Sequence, residues 1–174
     1  MFSIIQETLP EDSLLKTYRG GAHPERWGAN GDCFAVTVGY PVSLRDFVVA
    51  FYTSPLFRIE RLLLRIVVNA PSSRRQAHAV AEGSAAEFAA WYVGERTATQ
   101  LLMCDRYERT RSWFCVAPVN GGTRLRFGSA VVGSRDKLAG AMTLGGSFPW
   151  LLRFHVLYSQ LLLHAAKKRL GGVG

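Results

Sequence analysis

The sequence predicts an α+β domain, an antiparallel sheet with helices inserted after its first strand and one long helix at the end. Three observations predict it. Residues 113–128, "WFCVAPVNGGTRLRFG", set apolar runs on both sides of an Asn-Gly pair, the strongest short signal for a β-hairpin. The strand-like runs between residues 86 and 132 are joined by connections too short for anything but antiparallel pairing. Residues 149–171 carry a helical apolar stripe and close on Lys167, Lys168, Arg169 and Gly171, as a helix C-terminus does.

Taken in order, "DCFAVTV" (32–38) is the first strand. In "PVSLRDFVVAFYTSP", Ser43 caps a helix, Asp46 reaches back to it and Val42 staples onto Phe47. Leu44, Phe47, Val48 and Phe51 then share one face. Ser54-Pro55 ends this helix and starts a second, which runs to about Ala70 and shows Arg58, Arg61 and Arg65 away from its apolar side. Ser73 and Gln76 form a capping box for a short third helix that stops at Gly83. Strands follow at 86–95, 100–107, 110–118 and 123–132, then a Gly-rich loop over 133–147. The closing helix carries Leu151, Phe154, Tyr158, Leu161, Leu162 and Ala165 on its apolar stripe. Residues 1–174 read as one domain, with an irregular segment over 1–30 and a core over 31–170.

The formal net charge is +8, and all but four of the 21 basic residues are arginine. These are scattered rather than gathered, which describes a solvated basic surface. No DNA-reading motif occurs, and the aromatics do not alternate with a basic strip, so nucleic acid is not an expected partner. The Arg58, Arg61, Arg65 stripe raises membrane contact, but a charged helix face is ordinarily solvated, and no such contact is expected. Cys33, Cys104 and Cys115 lie inside apolar runs with no paired spacing and read as small core residues of a reducing compartment. With no secretory signal pattern and no uncharged apolar run of about 18 residues, a cytoplasmic protein is expected.

One strand, two helices, an antiparallel meander and a long last helix: in this order the chain resembles the START-like superfamily. That superfamily includes polyketide cyclases, lipid-transfer domains and pollen-allergen-like proteins. "SLRDFVVAFYTSPLFRIERLLL", "RSWFCV", "TRLRFGSAVV" and "HVLYSQLLLHAAKKRL" are most similar to a bacterial family of unknown function within it, over residues 31–170. The resemblance implies the helix-grip fold, in which a curved sheet wraps the C-terminal helix around an apolar cavity. It implies no reaction, and the chain shows five clear strands where that fold often has seven.

Pairing the strands through their turns gives a register. A two-residue Asn120-Gly121 loop pairs Val116 with Leu125, Phe114 with Phe127 and Ser112 with Ser129. A Glu108-Arg109 turn pairs Ser112 with Asp105 and Phe114 with Met103; a Thr97-Ala98 turn pairs Met103 with Tyr92. One face then holds Tyr92, Leu101, Met103, Phe114, Val116, Leu125 and Phe127. The other holds Arg106, Arg111, Arg124 and Arg126, together with Trp91, Trp113, Leu102, Cys104 and Cys115. Two tryptophans on an outer face suggest a homodimer through it, unless arginine stems and the first strand cover them.

The apolar face is expected to line a ligand site of Tyr92, Met103, Phe114 and Phe127, with Phe154 and Tyr158 opposite on the last helix. Asp105, Ser112 and Ser129 form a polar row across it, and Asp105 is the candidate acid or base. His23, His78, His155 and His164 lack metal-site spacing; no metal or cofactor is expected. The expected function is binding of a small apolar or aromatic ligand. The alternatives are a polyketide cyclase/dehydrase-like enzyme using a pocket acid or base, and an interaction protein whose core is filled.

Overall fold

The computed structural model describes residues 4–21, 31–55, 57, 73–88, 90–106, 110–131 and 147–171, the last stretch with side chains from Ser159 onward. The strands are β1 (Ile5–Gln6), β2 (Gly31–Val38), β3 (Glu87–Phe88), β4 (Trp91–Arg96), β5 (Gln100–Asp105), β6 (Thr110–Val119) and β7 (Gly122–Val131). They form one curved antiparallel sheet in the order β1-β2-β7-β6-β5-β4-β3. The helices are α1 (Leu14–Thr17), α2 (Leu44–Tyr52), α3 (Arg74–Glu82) and α4 (Ser147–Gly171). This is the expected α+β class, consistent with a helix-grip arrangement. The second helix beyond Phe57, with its arginine stripe, and the 133–146 loop lie outside the described residues.

The local punctuation acts as read. Ser43 accepts the Asp46 amide at the start of α2, and its hydroxyl donates back to the Asp46 carboxylate at 2.6 Å. Ser54 accepts the Phe57 amide at 3.2 Å, so the end of α2 is also the cap of the turn that follows. Ser73 and Gln76 form a full capping box on α3, and Gly83 ends it at φ 83°. The Asn120-Gly121 hairpin pairs Val119 with Gly122 and holds the expected register along β6 and β7.

Two strands were not legible. β1 adds to the edge of β2, pairing Ile5 with Ala35. The run expected as one strand over 86–95 turns back on itself, so that β3 pairs with β4. The first thirty residues are therefore not all irregular: β1 is the edge strand of the sheet, and α1 lies on the sheet's outer face. Leu9, Leu14 and Leu15 bury Cys33, Leu102, Cys104, Trp113 and Cys115 there. Trp113 lies across β7 at Gly128, where a Cβ would come within 2.9 Å of its ring. Its indole N–H donates to Gln100 Oε1 at 2.7 Å, an atom that also accepts the Leu14 amide at 3.0 Å.

Arg124 and Arg126 are tied down by the same segment, both through the Glu7 carboxylate. Burial alone would raise the Glu7 pKa, but the two guanidiniums outweigh it and hold it below the ordinary 4.5. A depressed carboxylate contributes stability that is present above its unfolded pKa and lost as pH falls through the folded one. The stability difference between wild type and Glu7→Gln is thus expected at neutral pH and should fade below pH 4.5, as read by urea titrations at several pH values. A difference independent of pH would show that the ion pairs contribute nothing.

The inner face packs against α2, α3 and α4. Among the described side chains of α4, Ser159, Leu162, Leu163 and Ala166 are buried, while Leu161 is 46% exposed. The expected stripe through Leu161 and Ala165 is thus rotated by about one residue. Three consecutive leucines fit either phase, and small Ser159 and Ala166 let the helix approach α2 and β2 closely.

Candidate functional site

The inner face is built in levels, each a cross-strand row. Val36, Leu125 and Val116 make one level; Phe34, Phe127, Phe114 and Leu101 make the next. All seven are buried, and α2 seals them. The Phe51 ring lies 4.7 Å from Phe127 and 4.8 Å from Phe114, and Phe47 meets Phe114 edge-on at 5.7 Å. Phe114 and Phe127, expected as cavity walls, are therefore faced by protein rings.

One level further along, the chemistry changes. The row reads Asp32, Ser129, Ser112, Met103 and Val93 across β2, β7, β6, β5 and β4. Asp32, Ser112 and Val93 are half-buried, while Ser129 and Met103 are buried. Beyond it come Thr110, then Asp105 directly opposite Trp91, all half-buried. Ser112 sits on a central strand between Arg111 and Trp113, whose outward side chains are fully buried. Its exposure is therefore on the inner side of the sheet.

The structure corrects three placements. Tyr92 is not on the inner face; it pairs with Cys104 and packs with the outer cluster, while Trp91 packs with the inner one. The cause is a bulge between Val93 and Glu95, which flips parity on β4 beyond Gly94. Asp105 is not opposite Ser112, whose partner on β5 is Met103. The β5–β6 connection is two residues longer than the turn expected, an even shift that keeps parity but moves Asp105 one level outward. Trp91 and Trp113 lie on opposite faces and Trp113 is fully buried, so no shared tryptophan surface exists for a second copy. The Phe154 and Tyr158 side chains lie outside the described residues.

Ser112 and Ser129 do sit side by side as expected. Asp32 joins them and was missed, although the alternation of Asp32, Phe34, Val36 and Val38 in "DCFAVTV" put it on the apolar parity. Beside this polar patch lies an aromatic cluster in which Tyr52, Phe57 and Phe88 are buried. Tyr52 lies 4.7 Å from Phe88, and Phe57 lies 6.1 Å from Phe88 and 6.3 Å from Trp91. The Trp91 indole N–H is buried and makes no hydrogen bond. A buried donor left so costs about 1–3 kcal/mol.

Nucleophiles are poorly supplied. Burial pushes the Cys33 thiol up to about 11 and raises Cys115, which makes both inert. Among the described residues no group of His, Cys, Asp and Glu gathers as a metal site, and no helix is long and apolar enough to cross a membrane.

No family model and no curated protein matches the chain. Among solved structures, CalU16 from Micromonospora echinospora aligns over 97% of this chain and 92% of its own, at 8% identity and a TM-score of 0.28. A likeness that slight carries neither fold nor function, and the helix-grip assignment stands on the sheet order and helices described above.

Proposed function

We propose that the protein binds a small apolar or aromatic ligand at the open end of the inner face, between the sheet and the C-terminal helix. One observation carries this reading: along one face of one sheet, sealed phenylalanines give way to the half-exposed Asp32 and Ser112. Polar side chains on a core-facing sheet surface each need a partner, for a net gain of only about 0.5–1.5 kcal/mol. In a binding site they orient what binds. The rings that Phe51 lays on Phe114 and Phe127 favour a second reading, a core filled throughout, and one experiment separates the two.

Calorimetry with a neutral naphthalene probe, and native mass spectrometry of the gently purified protein, test occupancy directly. Ser112→Leu puts a bulky apolar group on the floor of the site. It is expected to weaken probe binding by about tenfold or more, equivalent to about 1.4 kcal/mol, while the melting temperature holds. A wild-type protein that binds no probe and carries no small molecule would establish the filled core instead.

A further inference from the structure

Resting on that reading, we infer that the ligand is an aromatic or apolar amine, bound in its ammonium form with Asp32 as the counter-ion. The inference names the ligand class of the site already described. Asp32 shares the inner parity of β2 with the buried Phe34, Val36 and Val38. Across the ladder it stands directly opposite Ser129, which in turn stands directly opposite Ser112. Asp32 and Ser112 are half-buried, and their side chains make no hydrogen bond or ion pair among the described residues. Their side-chain oxygens are open to solvent, so a solute on the inner side meets both.

The positive charge follows from what surrounds Asp32. A carboxylate only accepts hydrogen bonds, so its complement is a donor, and a cationic donor makes the shorter and stronger bond. Among the described strands no basic side chain supplies it. Arg111, Arg124 and Arg126 lie on the outer face, the first donating to the Gly20 carbonyl at 2.9 Å and the other two to Glu7. Arg106 pairs with Glu87, and Arg96 on β4 donates to the Val80 and Ala81 carbonyls at the end of α3. Half out of water on an otherwise apolar face, the Asp32 carboxylate has lost part of its hydration, which an ammonium group replaces. Ser112 can donate or accept, so it imposes no charge of its own. Two strand spacings put Asp32 about 10 Å from Ser112, the span of a two-ring amine lying across Ser129.

Three naphthalenes of like shape and different charge separate the ion pair from the site: 2-(aminomethyl)naphthalene as its ammonium ion, 2-ethylnaphthalene and 2-naphthylacetate. Calorimetry at neutral pH should show wild type binding the ammonium about fivefold or more tighter than the hydrocarbon, with the acetate weakest. The net charge of +8 would by itself favour the anion, so this order reports the local carboxylate. In Asp32→Asn, which keeps the shape, ammonium affinity should fall to that of the hydrocarbon. In Asp32→Lys the acetate should become the tightest of the three. Both variants should melt with wild type, because Asp32 has no partner among the described residues to lose. Hydrocarbon binding with no preference for the ammonium, or a preference that survives Asp32→Asn, would overturn the inference and leave ligand binding intact. Failure of all three to bind the wild type would remove the site, and the inference with it.

Discussion

Replacing Phe51 with alanine is expected to destabilise the protein by about 3–5 kcal/mol, the range for deleting a buried aromatic ring. Phe51 is 2% exposed and touches five other rings: Phe47, Tyr52, Phe57, Phe114 and Phe127. Among the described ring contacts it alone joins α2 to both Phe114 and Phe127 on the central strands, so the void cannot close without moving the helix. The melting temperature should fall by roughly 10 °C for a domain of this size. Phe51→Leu, which keeps most of the volume, should cost about 1.5 kcal/mol or less. A loss under about 1 kcal/mol for Phe51→Ala would show that the ring does not fill the space between α2 and the sheet.

Trp113→Glu is expected to be at least as damaging, for a different reason. Trp113 is fully buried beneath Leu14 and Leu15, and its N–H shares Gln100 Oε1 with the Leu14 amide. A glutamate there leaves a carboxylate buried among leucines and cysteines, and several kcal/mol are lost or the N-terminal segment detaches. Denaturation at widely different protein concentrations distinguishes this from a broken dimer. The wild-type midpoint and the loss should both be independent of concentration, whereas an obligate dimer's stability scales with it. Wild-type stability that rises with concentration, together with a variant sedimenting as half its mass, would restore an interface through this face.

Much of this architecture was legible because its signals are local. Ser43, Ser73 with Gln76, Gly83 and Asn120-Gly121 each act within four residues, and each does what its chemistry requires. The Ser112–Ser129 pair followed from the hairpin alone. What failed depended on contacts from elsewhere in the chain. Nothing in residues 4–17 carries a strong period, and this segment is ordered by what it covers: Glu7 by two arginines, Leu14 and Leu15 by Trp113. Asp105 was misplaced because a turn was assumed shorter than it is. Tyr92 was misplaced because Gly94 was passed over as an ordinary strand residue, although a strand glycine commonly marks a bulge.

Gly94 has a larger part in this protein than its size suggests. A Cβ there would meet Cys104 Sγ at 2.8 Å and the Tyr18 ring at 3.3 Å, so the position admits almost no substitution. Yet the extra residue at this point is what sends the Trp91 indole inward and the Tyr92 phenol outward. The identity of the aromatic group that β4 turns to the inner face is therefore set by residue counting, not by residue type. Losing one residue from this strand would exchange an indole donor for a phenol, which both donates and accepts, with every remaining side chain unchanged.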